Sequence, residues 1–280
     1  MSDGLDVIVL ENMRLLAVIG AEAPERQLVQ EVRVDLEIAV EMSVARRYDR
    51  LAGTLDYAQL HARCLAAAQA TPVALLEHLG ERLLALVTSE PNVLWAKIAL
   101  AKPGLLAGAT PRVVLSARRP TQVAVGLGAN VGDAPQTLAQ AVRALEALGP
   151  CLARSSLYRT RPWGVLDQPD FYNAALLIET RLLPHAVLAS LKAIERRFGR
   201  ISGPRYGPRV LDCDLLDDAG GHVNDAVLTV PHPRLEERAF VLAPLAEISP
   251  HYQGAYERLS IAERESVVRL AEWPSIGANG

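Results

Sequence analysis

This chain of 280 residues lacks the features that mark secreted, membrane-spanning or nucleic-acid-binding proteins. It has only three cysteines, Cys64, Cys151 and Cys213, without metal-site spacing, and such sparse usage is typical of a reducing cytoplasm. No apolar run reaches the ~20 residues that a membrane span needs, and the polar start, MSDG, leads us to expect no signal peptide. The net charge of −3 gives no reason to expect nucleic-acid or membrane partners. We therefore expect a cytoplasmic protein that acts on small molecules.

Lysine is almost absent, with three lysines against 26 arginines. Arginine keeps its proton in a protein, whereas a partly buried lysine can titrate. Lys102 ends an apolar strand and precedes Pro103-Gly104, which makes it a candidate for proton transfer. On this argument alone, a surface lysine at a strand end is the stronger alternative.

Aromatic residues make up only 5% of the chain, but half of the residues are apolar, enough for two packed cores. One strand-like run ends in ARRPT before another begins at Val123, which predicts domains 1–119 and 120–280. The first is predicted to be α+β, with strands and helices near 5–19, 28–42, 56–70, 74–89, 93–101 and 111–118. The second alternates strands and helices as in a split βαβ, ferredoxin-like α/β sandwich. An amphipathic stretch at 261–273 suggests no chemistry.

The most informative segment is Arg200 to Leu216, which reads RISGPRYGPRVLDCDLL. In a strand, Asp212 and Asp214 point to one face and Cys213 to the other. Two adjacent carboxylates in apolar surroundings repel each other unless a cation lies between them, and Mg²⁺ takes carboxylates together with substrate phosphates. The arginines upstream offer planar donors to phosphates. The segment predicts metal-dependent phosphoryl transfer; a sugar-nucleotide transferase or a chance Asp-x-Asp beside a solvated loop is the alternative.

Six motifs carry a resemblance to a known family: VAVGLGANVGD (123–133), SLYRTRPWG (156–164), DQPDFYNAAL (167–176), IERRFGR (194–200), GPRVLDCDLL (207–216) and VPHPRLEERAFVLAPL (230–245). In this order and spacing, the second half resembles 6-hydroxymethyl-7,8-dihydropterin pyrophosphokinase. That family transfers pyrophosphate from ATP to the hydroxymethyl group of the pterin and releases AMP.

The resemblance implies a role for each matching residue. Asp212 and Asp214 would hold two Mg²⁺ ions with ATP, and Arg200 and Arg209 would neutralise charge on the transferring group. The implied ATP contacts are Glu195, Arg205, His232 and Arg238. The implied pterin contacts are the backbone of Thr160, the amide of Asn173, and Phe171 and Phe240 on the faces of the heterocycle.

The chain departs from the family pattern near its first strand and in two loops. Arg161 stands in place of a second proline, Ala129 in place of a small hydroxyl residue, and Tyr206 in place of a tryptophan in a catalytic loop that is one residue short. Such loops close over the substrate, so we expect these changes to affect rate more than reaction type.

The first half, residues 5 to 118, resembles dihydroneopterin aldolase. The matching pieces are Ile19-Gly20, PERQLVQEVRVDLEI (24–38), TLDYAQL (54–60), LLEHLGERL (75–83) and LAKPG (100–104). The family has the tunnelling fold (T-fold), needs neither metal nor Schiff base, and cleaves 7,8-dihydroneopterin into 6-hydroxymethyl-7,8-dihydropterin and glycolaldehyde. The cleavage needs an acid and a base. The implied residues are Lys102 and Tyr57 as acid–base pair, Glu25 as a further carboxylate, Glu77 for the aminopyrimidine edge, and Leu55 and Leu76 for backbone contacts.

The two resemblances support each other, because the product expected of the first half is the substrate expected of the second. The leading hypothesis is therefore a bifunctional folate-biosynthesis enzyme. The aldolase family builds its sites between subunits, which implies a homo-oligomer, an octamer or tetramer, assembled through the first domain. A silent oligomerisation scaffold, or an epimerase acting on the triphosphate of the same pterin, is the alternative for that domain.

Overall fold

The chain divides into two units at Arg119 and Pro120, and each unit combines helices with an antiparallel sheet. The computed structural model describes residues 6–162, 167–200, 207–270 and 273. The mixed α+β class predicted from the sequence is confirmed in both units.

The first unit is a four-stranded sheet in the order β1-β2-β3-β4, with two long helices packed against it. Its elements are β1 (Val7–Val18), β2 (Val29–Val40), α1 (Ser43–Tyr48), α2 (Tyr57–Ala70), α3 (Leu76–Val87), β3 (Val93–Ala101) and β4 (Arg112–Arg118). The six predicted elements begin and end within two residues of their predicted positions, and the short helix α1 was not predicted.

Strand β2 shows why this sheet has one apolar face and one charged face. Its residues alternate, so Val32, Val34, Leu36 and Ile38 are fully buried in the core beneath α2 and α3. The intervening residues meet charged neighbours on adjacent strands, as in the pairs Arg14–Glu31, Lys97–Glu37 and Arg112–Asp35. The helices bury their apolar residues on the opposite side of the sheet, so none of the described elements of this unit covers the charged face.

The second unit is a sheet in the order β12-β7-β8-β5-β9, with β6 also paired to β8. Its elements are β5 (Thr121–Ala129), α4 (Ala134–Leu145), β6 (Cys151–Arg154), β7 (Leu157–Thr160), β8 (Phe171–Thr180), α5 (Pro184–Arg197), β9 (Asp212–Asp218), β10 (Val223–Asn224), β11 (Thr229–Val230), α6 (Ala239–Ile248), α7 (Gln253–Arg258), α8 (Ile261–Glu265) and β12 (Val267–Leu270).

Both faces of the central strand β5 are buried, which fits its nearly continuous apolar run. Val123, Val125 and Leu127 pack in a core with α4 and α5, whereas Ala124 belongs to a second core formed by α6. Among the described strands, β9 lies at the edge of the sheet and pairs with β5. The site residues at the ends of β5 and β9 are therefore supported by a core on each face of the sheet.

The C-terminal segment differs from the single amphipathic stretch expected from the sequence. Ser260 and Glu263 form a capping box that starts the short helix α8, and the chain then extends into β12. Strand β12 pairs antiparallel with β7, so residues far apart in the sequence become neighbours at the sheet edge.

Candidate active sites

A cavity of about 420 Å³ in the second unit gathers most of the residues predicted for that half of the chain. This volume is typical of a small-molecule site. The predicted residues on its wall are Thr160, Phe171, Asn173, Arg209, Asp212, Asp214, His232, Arg238 and Phe240. Arg161 lines it as well, so one of the departures from the family pattern lies at the cavity itself.

The floor of the cavity is a row of residues across three strands. Asn173 on β8, Gly128 on β5 and Asp212 on β9 are neighbours in the sheet register. A Cβ at residue 128 would lie 3.3 Å from the Asn173 Oδ1 and 3.9 Å from the Asp212 Cβ. Glycine therefore keeps open the space between the amide predicted to bind the pterin and the carboxylate predicted to bind metal.

The two aspartates lie on one side of β9, as the alternation of the strand predicted. Cys213 between them is fully buried on the opposite face. Burial, and then repulsion from Asp212, raises the pKa of Asp214, although Lys192 and His232 act in the other direction. The pair therefore presents concentrated negative charge that a cation in the cavity would stabilise.

Two arginines converge on Asp212. Arg200 Nη1 donates to Asp212 Oδ1 at 2.6 Å, and Arg209 forms an ion pair with Asp212 Oδ2. Arg200 and Arg209 reach the carboxylate from opposite ends of the loop between α5 and β9. Arg205 and Tyr206, also singled out from the sequence, lie outside the described residues.

Glu195 lies behind the cavity and is not among the residues that line it, so its contact with ATP stays a prediction. Its side chain is 3% exposed and forms an ion pair with Arg200, and its Oε1 accepts the backbone N–H of Cys213 at 2.8 Å. Lys192, one turn earlier on α5, donates to Glu195 at 2.8 Å and to the Cys213 carbonyl at 3.1 Å. Because β9 is an edge strand, these two side chains satisfy its free backbone groups between the aspartates. No role was predicted for Lys192, since its spacing to Glu195 is common on helix surfaces.

Asn130 is a second residue that the sequence analysis missed. It is buried, its Oδ1 accepts from the Arg209 backbone N–H at 2.8 Å, and its N–H donates to the Arg209 carbonyl at 3.0 Å. Its Nδ2 donates to Gln168 Oε1 and the Pro169 carbonyl, both at 3.1 Å. Asn130 thus ties the arginine loop to the segment before β8. A polar residue at the end of an apolar strand was the available signal.

The other end of the cavity combines an amide with aromatic side chains. Asn173 Nδ2 donates to the Thr160 Oγ1 at 2.9 Å, which fixes the amide orientation. The Arg238 guanidinium lies 5.6 Å from the centroid of the Phe240 ring. Burial lowers the pKa of His232. The negative charge of Asp214 opposes this decrease but is the smaller effect, and the positive charges of Arg238 and Arg234 lower the pKa further. A flat, hydrogen-bonding heterocycle fits the chemistry of this end.

In the first unit, the lysine singled out by its rarity is paired with a predicted carboxylate. Lys102 is buried at the end of β3, and its Nζ donates to Glu25 Oε1 at 2.6 Å and to the Ile19 carbonyl at 3.3 Å. The hydrogen bond from Lys102 lowers the pKa of Glu25, which also accepts the Glu22 N–H. The alternative of an exposed strand-end lysine is wrong.

Gly20 makes this arrangement possible. A Cβ at residue 20 would lie 2.2 Å from the Cβ of Glu25 and 2.5 Å from its Oε2. Any larger residue would displace the carboxylate from Lys102, which explains the Ile19-Gly20 motif in physical terms.

The remaining predicted aldolase residues stand at the starts of two helices. Tyr57 is the first residue of α2, where Asp56 provides the cap, and its side chain is 58% exposed. Glu77, in the first turn of α3, is also exposed. Leu55 is buried, and Leu76 packs against the core. Within the described part of the chain, no hydrogen bond or ion pair joins Tyr57 or Glu77 to Lys102.

Comparison with known proteins assigns each half of the chain separately. Residues 124–250 match the family model described as "7,8-dihydro-6-hydroxymethylpterin-pyrophosphokinase (HPPK)", and residues 8–116 match the model described as "Dihydroneopterin aldolase".

Among the described residues, no helix has the length and apolar character to cross a membrane.

Relatives of known name agree with these matches. A 2-amino-4-hydroxy-6-hydroxymethyldihydropteridine pyrophosphokinase of Methylorubrum extorquens is 48% identical over 132 residues, 46% of this chain and 84% of the relative. The Folate synthesis bifunctional protein, mitochondrial, of Pisum sativum is 44% identical over 128 residues, 45% of this chain but only 25% of the relative. The Folic acid synthesis protein FOL1 of Dictyostelium discoideum is 25% identical over 277 residues, 89% of this chain and 42% of the relative.

Proposed function

We propose that the two sites of this chain act in sequence on one pterin. The chain belongs to the hydroxymethyldihydropterin pyrophosphokinase family over residues 124–250 and to the dihydroneopterin aldolase family over residues 8–116. These two assignments make it a bifunctional enzyme of folate biosynthesis. The first domain, 1–119, would release glycolaldehyde and 6-hydroxymethyl-7,8-dihydropterin. The second domain, 120–280, would transfer pyrophosphate from ATP to that product and release AMP. A cytoplasmic location is part of this proposal.

The observation that carries the kinase assignment is the cavity that holds the Asn173 amide at one end and the Asp212–Asp214 pair at the other. Asn173 and the two phenylalanines would hold the pterin with its hydroxymethyl group toward the aspartates. His232 and Arg238 would contact ATP. Arg200 and Arg209 would neutralise charge that develops on the transferring group, and the buried Glu195 would keep Arg200 in position.

Two Mg²⁺ ions fit the donor set of this site. Asp212 and Asp214 offer oxygen ligands on one side of β9, and the pKa of Asp214 is raised first by burial and then by repulsion from Asp212, a repulsion that a cation would relieve. When bound, Mg²⁺ would supply charge neutralisation on the ATP phosphates.

The kinase assignment is tested by supplying 6-hydroxymethyl-7,8-dihydropterin and ATP directly and separating the nucleotide products. We expect AMP and a pterin pyrophosphate in equal amounts, complete loss with excess EDTA, and recovery when Mg²⁺ is restored. Formation of ADP, or an undiminished rate in EDTA, would contradict the proposal. Turnover of a sugar nucleotide in its place would favour the transferase alternative.

The observation that carries the aldolase assignment is the buried Lys102–Glu25 pair. In the reaction, a base removes the proton of the hydroxyl on the second side-chain carbon, and the bond to the first carbon breaks. Glycolaldehyde leaves, the pterin takes the electron pair, and an acid then protonates the first carbon. Lys102, through a water, and Tyr57 would carry these protons, while Glu77 would accept hydrogen bonds from the aminopyrimidine edge.

Among the described residues, no hydrogen bond or ion pair joins Tyr57 or Glu77 to Lys102, which fits a site shared between subunits of a homo-oligomer, an octamer or tetramer. Sedimentation should therefore give a species of several chains. A mixture of inactive Tyr57→Phe and Lys102→Met chains, reassembled from dilute denaturant, should recover roughly one quarter of the wild-type cleavage rate. An active monomer, or no recovery in a correctly assembled mixture, would contradict a shared site.

We also infer the finer fold classes expected from the sequence. In the second domain, the succession of β5, α4, β7, β8, α5 and β9 supports a ferredoxin-like sandwich, to which α6 adds a further layer. In the first, the antiparallel sheet with a charged, uncovered face supports a tunnelling fold. The pairing of Lys102 with Glu25 favours an active aldolase over a silent scaffold; glycolaldehyde release distinguishes these two, and turnover of the pterin triphosphate identifies an epimerase.

A further inference from the structure

The C-terminal segment lies beyond the residues that match the kinase family and forms part of the same sheet. Strand β12 covers the outer edge of β7, with Val267 opposite Thr160 and Leu270 opposite Leu157. Trp273 continues this attachment, because its Nε1 donates to the Ser155 carbonyl at 2.8 Å. The segment therefore holds β7 along its whole length, up to the residue at the cavity.

The carboxylate of Glu247 connects this segment to two walls of the cavity. One wall carries Phe240, and the other carries Thr160 and Asn173. Its Oε2 accepts the Ser156 N–H and the Tyr158 hydroxyl, both at 2.9 Å. Its Oε1 accepts the Ser156 hydroxyl at 2.8 Å and Arg269 Nη2 at 2.6 Å. Burial alone would raise the pKa of Glu247, but these hydrogen bonds together lower it, so the carboxylate is held ionised.

The position of Glu247 links two groups of substrate-contacting residues. It lies at the end of α6, the helix whose second residue is Phe240. Its partner Tyr158 lies beside Asn173 in the register of β7 and β8, two residues before Thr160. Glu247 therefore sets the position of the wall that carries Phe240 relative to the wall that carries Thr160 and Asn173.

We propose that Glu247 is a positioning residue for the pterin end of the kinase site, and that Arg269 of the C-terminal strand completes its hydrogen bonding. The inference rests on the proposed pterin contacts of Thr160, Asn173 and Phe240. Glu247 does not line the cavity, so its effect passes through the spacing of the two walls. Spacing errors of about 1 Å can cost roughly 100-fold in rate or binding.

The test compares the KM for 6-hydroxymethyl-7,8-dihydropterin with the KM for ATP in Glu247→Gln, which keeps the size of the side chain but replaces an acceptor oxygen with a donor. We expect the pterin KM to rise about tenfold, with the ATP KM unchanged within about twofold. Tyr158→Phe and Arg269→Gln should each raise the pterin KM by a smaller factor. The double variant Tyr158→Phe/Glu247→Gln should show less than the product of the two single effects.

Glu257→Gln on α7 is the matched control, since this exposed carboxylate accepts a hydrogen bond from Gln253 alone among the described residues, and the change should leave both KM values unchanged. A folded Glu247→Gln with wild-type pterin KM, or with both KM values raised equally, would overturn the inference. If Glu247→Gln does not fold, the milder Tyr158→Phe and Arg269→Gln decide by the same comparison. Should the wild type form no AMP, the proposed function fails separately, and calorimetric titration with the pterin replaces the pterin KM.

Discussion

Replacing Asp214 with asparagine is expected to slow AMP formation by at least about 1,000-fold, or roughly 4 kcal/mol of transition-state stabilisation. Asparagine fills the same space but removes one of the two negative charges that face the cavity on β9. Arg200 and Arg209 both pair with Asp212, whereas the ion-pair partner of Asp214 among the described residues is Lys192, 3.8 Å away. The measurement is AMP release at saturating 6-hydroxymethyl-7,8-dihydropterin, ATP and Mg²⁺.

Asp217→Asn on the same strand is the control for this prediction. Asp217 Oδ2 accepts from the Tyr252 hydroxyl and Oδ1 accepts from the Asp218 N–H; in asparagine the amide oxygen can keep the bond from the N–H, and the amide NH2 can donate to the Tyr252 hydroxyl oxygen. AMP formation by Asp217→Asn should stay near the wild-type rate, and glycolaldehyde release should be normal in both variants. Loss of both activities in a folded Asp214→Asn would contradict two separate sites.

Replacing Lys102 with methionine is expected to produce the opposite pattern. Methionine retains the apolar stem at this buried position but removes the proton carrier and the partner of Glu25. Loss of a general acid–base group typically costs about 100- to 10,000-fold, so glycolaldehyde release should fall by that factor. AMP formation from added 6-hydroxymethyl-7,8-dihydropterin should be unaffected.

Lys97→Met provides the matched control, because Lys97 lies on the same strand and also pairs with a glutamate, Glu37. Both members of that pair are about half exposed, so the change should cost little stability and no activity. A Lys102→Met protein that still releases glycolaldehyde at the wild-type rate would show that Lys102 carries no proton in the reaction.

The site residues that stood out in the sequence did so because of local geometry or because of composition. Asp212 and Asp214 share a side because strand residues alternate, and Lys102 was conspicuous because nearly every other basic residue is an arginine. The position of Glu195 behind the cavity was not predictable from the sequence, because its environment depends on β9, which follows it in the sequence and packs beside it at the sheet edge. The helical pattern of α5 describes the helix itself and contains no information about that partner.

The positions of Asn130 and Glu247 could not be predicted from the sequence for the same reason. The groups that Asn130 joins are 38 and 79 residues away along the chain, and Glu247 accepts from residues up to 91 positions earlier. Such contacts depend on the order of strands in the sheet, which residue spacing alone does not determine. The C-terminal segment is the clearest example, because the role of Val267 and Leu270 depends on the pairing of β12 with β7.

The most direct test of the whole account is one incubation of the full chain with 7,8-dihydroneopterin, ATP and Mg²⁺, following glycolaldehyde and AMP together. We expect both products, with AMP appearing after a lag, never exceeding glycolaldehyde, and absent without the first substrate. Glycolaldehyde should still form when ATP is omitted. AMP that appears only when 6-hydroxymethyl-7,8-dihydropterin is added, without any glycolaldehyde from 7,8-dihydroneopterin, would contradict a bifunctional enzyme and leave a kinase with an inactive first domain.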